Sequence, residues 1–284
     1  DDFAEINAFC RARRDWLSQY LNLPHGIPST STFQRLFRVL DPSEFEAAFM
    51  RWLHTLQPLV PGQVIAVDGK TMRRSHDHAS GLKALHVVSA WAHEQRLVIG
   101  QQTCDMKSNE IKAIPDLLER LTIKDCIVTT DAMGCQKAIA QKIRDKQADY
   151  FLQVKGNQPK LQEQMEAYFS DERCMELQSA TSENKGHARY EERCAWVSTD
   201  LQDIKVSADW PDAKSVILIE AERIIEEQSQ ISYRYYISSL EDITADQVLK
   251  IARDHWGIEN QLHWVLDVIF KEDGSRHRKD NAAR

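Results

Sequence analysis

Two apolar, β-branched runs in this chain each lead into an aspartate with a glycine close behind. Val64-Ile65-Ala66-Val67 is followed by Asp68-Gly69-Lys70, and Cys126-Ile127-Val128-Thr129-Thr130 by Asp131-Ala132-Met133-Gly134. A carboxylate inside or at the end of a buried strand is costly unless it is paired or bound to a cation. Either aspartate alone reads equally as a cap on a turn or on the next helix. Two of them in one α/β layer, each near a glycine that lets backbone approach a ligand, point to a metal site.

The surrounding pattern supports such a layer. After Pro61-Gly62, strands are expected at 64–67, 84–91 and 97–103, a helix at 109–121, a strand at 126–130, a helix at 135–146 and a strand at 150–154. The first three strands are spaced as a meander, and the later ones alternate with helices, which predicts parallel crossovers. Lys155-Gly156-Asn157-Gln158-Pro159 breaks the chain before a helix ending near Phe169. Strands at 190–197, 215–222 and 231–239, separated by polar loops, read as an antiparallel insertion. Helical spacing returns at Thr244 and runs past Trp264, with Gly257 inside it as a kink or a close approach.

The first sixty residues read as helices: 3–21, 32–40 with Ser29, Thr30 and Ser31 as N-caps, and 43–56 after Asp41-Pro42. A helix pair there has two readings. It either carries Thr30, Thr32, Gln34 and Arg35 into a DNA groove or caps the next domain. The expected division is therefore a helical domain at 1–60, an α/β core at 61–170 and 244–284, and a β insertion at 171–243.

Formal net charge is −7, the wrong sign for a protein that coats nucleic acid by bulk electrostatics. Fields act locally, however, and the segment 171–243 alone carries 16 acidic and 8 basic side chains. The rest is near neutral, with basic clusters at Arg73-Arg74 and Arg276-His277-Arg278-Lys279, so a nucleic-acid partner stays open. The six cysteines show no metal-like spacing and are expected to be reduced. With no apolar run of about 18 residues and no leader pattern, a soluble, cytoplasmic protein without membrane contact is expected. A chain that starts at Asp1 reads as a piece of a longer one.

A Mg²⁺ ion needs a third oxygen donor, and Glu259 is the candidate. His255, Glu259 and His263 are four apart, which on an α-helix lines one face, bordered by Trp256 and Trp264. The spacing is not the H-E-x-x-H pattern of zinc sites.

Four ordered motifs, V-D-G-K-T-M-R-R-S (67–75), T-D-A-M-G-C-Q (130–136), Y-F-L-Q-V-K-G-N-Q (150–158) and H-W-G-I-E-N-Q-L-H-W-V-L-D-V-I-F-K-E-D (255–273), resemble those of the H-repeat-associated insertion-sequence transposases, a group of DDE transposases. The stretch His25-Gly26-Ile27-Pro28-Ser29-Thr30 resembles the amino-terminal domain associated with that family. The resemblance implies a ribonuclease-H-like core in which Asp68, Asp131 and Glu259 meet at one Mg²⁺ (or Mn²⁺) site. It also implies a β insertion before the Glu-bearing helix. The chain departs from related transposases in having His255 where they carry Arg and Leu266 where they carry Lys; Arg253 or His263 would supply that phosphate contact.

The activity so implied is cleavage at element ends followed by strand transfer into target double-stranded DNA, with a homodimer in the DNA complex. Phosphate contacts are expected from Lys70, Arg73, Arg74, Lys155, Gln158, Arg253, His255, His263, Arg276 and Arg278. Trp256 and Trp264 are candidates either for stacking on a displaced base or for core packing. Two rival functions are a DNA-binding relic that no longer transposes and a metal-dependent nuclease without strand transfer.

Overall fold

A computed structural model describes residues 3–56, 59–76, 81, 83–104, 110–186, 189–225 and 228–274. Arg276 and Arg278 lie outside the described residues. Among those described, nine strands form one sheet in the order β3-β2-β1-β4-β5-β9-β8-β7-β6. The strands are β1 (Val64–Thr71), β2 (His86–Ala92), β3 (Leu97–Cys104), β4 (Ile127–Thr130), β5 (Asp149–Val154), β6 (Gln178–Gly186), β7 (Arg189–Ser198), β8 (Ser215–Ile225) and β9 (Gln228–Ser238). Strands β1 to β3 are antiparallel neighbours, as a meander requires. Both β4 and β5 run parallel to β1, which the helices between them make possible.

Helices cover both faces. On one side lie α5 (Glu110–Arg120), α6 (Lys137–Asp145) and α7 (Pro159–Tyr168). Their residues Leu117, Leu118, Ile139, Ile143, Leu161 and Met165 are buried against Ile65, Val67, Val128, Leu152 and Ile237. On the other side lies α9 (Ala245–His255), started by a capping box between Thr244 and Gln247. Its Val248, Leu249 and Ile251 cover Val64, Ile127, Phe151, Ile217 and Ile219. None of the six cysteines forms a disulfide, and no helix of the described residues is long and apolar enough to cross a membrane.

Before the sheet come α1 (Phe3–Ala12), α2 (Arg14–Leu17), α3 (Thr30–Val39) and α4 (Pro42–Leu56). Phe3 packs tilted on Phe37, and Phe37 edge-on to Phe45, with ring centroids 5.4 and 6.4 Å apart. Ser29 caps α3 by accepting the Thr32 N–H, and the Asp41 carboxylate accepts the N–H groups of Ser43 and Glu44 at the start of α4. Helix α4 docks on the sheet's end through Met50, which packs on the main core, and Glu46, 2.9 Å from Arg120. The expected first helix ends early, at Ala12, and a separate turn of helix follows.

The segment 171–243 holds a fourth strand that periodicity did not announce. β6 is Gln-Ser-Ala-Thr-Ser-Glu-Asn-Lys-Gly, polar and largely exposed, and it exists because its backbone pairs with β7 at the sheet's edge. A short helix, α8 (Asp171–Cys174), precedes it. This segment also continues the main sheet: Leu152 on β5 pairs with Ile237 on β9. Ile237 is fully buried, so Ile237→Ala should cost about 2–4 kcal/mol in urea denaturation. It should also loosen amide protection in β5 as well as in β8, which hydrogen exchange reads directly.

Candidate active site

The register of β1 against β4 sets the site. Val67 lies opposite Thr130 in a parallel ladder, so Asp68 and Asp131 stand one step further along adjacent strands. Side chains alternate across a strand. Asp68 shares its parity with Val64 and Ala66, and Asp131 with Ile127, residues buried beneath α9 and Ile258. Both carboxylates therefore project to the α9 face. Asp68 lies inside β1 and not at its end, because the ladder with β2 continues to Thr71.

The chain reaches this face a second time beyond α9. A Cβ on Gly257 would overlap the His93 ring, whose Nε2 is 3.3 Å from Asp254, so only glycine lets the helix lie this close to the end of β2. From there the backbone widens into π-helical segments, Ile258–His263 and Val265–Ile269. The Trp264 N–H bonds to the Glu259 carbonyl five residues back. Wider turns of this kind recur at functional sites. They also split the single face expected for His255, Glu259 and His263. His255 is turned inward with Nδ1 2.8 Å from the Thr129 hydroxyl, Glu259 is exposed, and His263 points at Asp68 with Nδ1 3.6 Å from Oδ2. Trp264, 53% exposed, is not a core residue.

Burial pushes the Asp68 carboxyl up from 3.8 to about 7. The Gly69 N–H opposes that rise, while the charges of Asp131, Glu259 and Glu110 add to it. Glu110, at the start of α5, is buried beneath Gly69 and paired with buried His86, which also bonds Thr71 at 2.8 Å. Burial pushes His255 and His263 down to about 4, helped at His263 by the charge of Lys70. Both are neutral at pH 7, so the His263 contact with Asp68 is not an ion pair.

The other expected contacts divide in two. Lys70 is held by Glu272, Asp267 and Asp273 at 2.6, 2.8 and 3.7 Å, which ties β1 to the segment after Glu259. Arg73 is exposed, with Nε 3.4 Å from Asp273. Arg74, Lys155 and Arg253 are also exposed. Gln158 donates to the Cys135 carbonyl at 3.0 Å, and the neighbouring Asn157 donates to Ala132, so both brace the loop after Asp131. Asp131 itself accepts the N–H groups of Met133 and Gly134. The bracing roles of Asn157 and Thr129 carry no sequence signal beyond the turn-forming run at 155–159.

Among the described residues no three His, Cys, Asp or Glu side chains are grouped closely enough to make a finished metal site. The donors nonetheless suit a divalent ion. Two carboxylates raise the cost of ionising a third in a desolvated position, oxygen is the donor that Mg²⁺ and Mn²⁺ prefer, and the buried Nε2 of His263 has no hydrogen-bond partner among the described residues.

A folded-state pKa above the unfolded value means that Asp68 subtracts stability as pH rises from about 4 to about 7. At ~1.4 kcal/mol per unit the cost is at most ~4 kcal/mol, and residual exposure of Asp68 lowers it. Asp68→Asn should therefore stabilise the metal-free protein by on the order of 1–3 kcal/mol at pH 8 and by almost nothing near pH 4, measured by urea denaturation at both pH values.

A family model described as a transposase DDE domain matches residues 60–284, and one described as DDE_Tnp_1-associated matches residues 1–53. The chain is 40% identical over 289 residues to a protein named "Putative transposase YncI" of Escherichia coli O157:H7, covering 100% of this chain and 74% of that one. It is likewise 40% identical over 291 residues to "H repeat-associated putative transposase YhhI" of Escherichia coli strain K12, covering 100% and 76%. A Xanthobacter autotrophicus protein, "Uncharacterized protein in dhlA 3'region", is 38% identical over 243 residues, covering 84% and 81%.

Proposed function

The chain belongs to the transposase DDE domain family, and from that premise we propose that it cleaves double-stranded DNA at the ends of a mobile element and joins the freed 3′-hydroxyl to target DNA. The observation that carries this reading is the placement of Asp68 and Asp131 on adjacent parallel strands, facing the layer from which Glu259 acts on Asp68. The order β3-β2-β1-β4-β5, with the first three antiparallel and the last two parallel to β1, supports a ribonuclease-H-like core at 61–170 and 244–284. In the same reading 171–243 is the β insertion, 1–60 is the associated helical domain, the protein is cytoplasmic, and two copies act together on DNA.

Asp68, Asp131 and Glu259 would hold Mg²⁺ or Mn²⁺. When bound, such an ion makes a hydroxyl a better nucleophile and stabilises the leaving oxygen of a phosphodiester. Asp68, already reluctant to ionise, would give up its proton if a cation offset the charges around it. His255, neutral and bonded to Thr129, fixes the end of β4 on which Asp131 depends. His263 lies beside Asp68 on the helix side, and Lys70 fixes the segment after Glu259 by its three carboxylate partners. Arg73, Arg74, Lys155 and Arg253 are the exposed cations that position DNA phosphates; Arg276 and Arg278 join them in the proposal.

The test incubates the protein with Mn²⁺ or Mg²⁺ and DNA bearing the element's ends. Joined products are expected; cuts without joining indicate a plain nuclease, and binding alone a relic. Asp68→Asn, Asp131→Asn and Glu259→Gln should each cost several kcal/mol of transition-state stabilisation, about 10³-fold in cleavage. DNA affinity without metal should stay within about threefold. Full cleavage by Glu259→Gln would remove Glu259 from the site.

A further inference from the structure

The segment 171–243 is the acidic part of the chain, and its sheet sorts the two signs of charge. Residues directly opposite in an antiparallel ladder project to the same face. Arg193, Arg223 and Arg234 lie across from Ala221, Glu191 and Ile219, on the face that α9 covers at Ala195, Ile217 and Ile219. The reverse face holds Glu192 directly opposite both Glu183 and Glu222, and Glu220 opposite Tyr233. Like charges so placed repel. Tyr190 donates to Glu192 at 2.8 Å and Ser229 to Glu222 at 2.6 Å, hydroxyls that carry no balancing charge. Among the described strand residues of this face, Lys185 is the one cation.

Beside the glutamates the same face turns aromatic. The cover of α7 ends at Phe169, and beyond it opens a recess of about 550 Å³ lined by Phe169, Met175, Trp196, Tyr233, Tyr235 and Glu220. Tyr233 is 55% exposed and Met175 83%. A complementary surface lies in α1 and α2. Arg11, Arg13 and Arg14 are exposed there, with Asp15 the one acid between residues 11 and 20. Trp16 and Tyr20 are 51% and 70% exposed, their rings tilted on each other at 5.4 Å. Exposed tryptophan, tyrosine and arginine are the side chains that anchor protein interfaces.

We infer that the acidic, aromatic face of 171–243 docks the α1–α2 segment of a second copy of this chain, with Arg11, Arg13 and Arg14 against Glu192, Glu220 and Glu222 and Trp16 in the recess. One copy cannot join the two surfaces itself. Helix α4 seats the amino-terminal helices at the β3 end of the sheet, and β8 lies six strand spacings away in the order β3-β2-β1-β4-β5-β9-β8, about 30 Å. Two copies that exchange the contact reciprocally satisfy both surfaces of each and close a dimer. The opposite signs of the two surfaces set the register, and like-charged alternatives are disfavoured. The contact is made by protein alone, so it needs neither metal nor DNA and does not depend on the catalytic reading.

The experiment is sedimentation velocity on the full chain without metal or DNA, at about 100 μM so that a contact of micromolar strength is populated. The wild-type protein should be a dimer. Glu220→Arg combined with Glu222→Arg should leave monomers, as should Arg11→Glu combined with Arg13→Glu and Arg14→Glu, each set weakening association about 100-fold or more. An equimolar mixture of the two charge-reversed proteins should dimerise again, because every contact in the mixed pair is then between opposite charges. Misfolding cannot imitate that recovery. Trp16→Ala should weaken the dimer about ten- to 100-fold, with most of the affinity kept in Trp16→Phe. A monomeric wild type, charge-reversed proteins that stay dimeric alone, or a mixture that stays monomeric would overturn the interface. The catalytic reading is tested separately, by the joining of DNA ends.

Discussion

The parallel pairing of β1 with β4 is the constraint on which the rest depends. Once Val67 sits opposite Thr130, Asp68 and Asp131 are adjacent and on the same face, whatever the loops do. A one-residue slip would turn either carboxylate to the opposite face, where α5 and α6 cover the sheet. The apolar residues preceding each aspartate hold the register: Ile65, Val67 and Val128 are locked against α5 and α6, and Val64, Ala66 and Ile127 against α9 and Ile258.

What the sheet brings together it does not neutralise. Asp68 is held largely out of water beside other acids, Lys70 is spent on tying down Asp267, Glu272 and Asp273, and the two nearby histidines are uncharged at neutral pH. The site is thus electrostatically incomplete, a state that suits binding of a cation. The π-helical turns after Gly257 serve the same end. They trade regular α-helical packing for a path that buries Ile258 while keeping Glu259 in solvent. Charge separation recurs on a larger scale in 171–243, where one sheet face gathers glutamates and the other arginines.

Much of this was legible in the sequence wherever burial and pattern coincide. The two Asp-bearing strands, the alternation of helix and strand from 109 to 154, and Gly257 as a point of close approach all follow from apolar runs and from one missing Cβ. β6 was not legible, because an exposed edge strand is specified by its partner's backbone and not by its own polar residues. The split of His255, Glu259 and His263 was hidden because i, i+4 spacing assumes an α-helix, and the sequence carries no mark of a π-helical turn. The engagement of Lys70 by three carboxylates was equally hidden: Asp267, Glu272 and Asp273 are about 200 residues away in the chain. The acidity of 171–243 is plain in the sequence, whereas its sorting onto two faces depends on the β7–β8–β9 register.

The account stands or falls on whether one ion joins the three acids. A crystal structure of the protein with Mn²⁺, with anomalous scattering used to locate the metal, tests this most directly. The account predicts a peak contacted by carboxylate oxygens of Asp68, Asp131 and Glu259, at the Mn–O distances of about 2.1–2.2 Å usual for hard oxygen ligands. A peak bound elsewhere, or one that excludes Glu259, would contradict it.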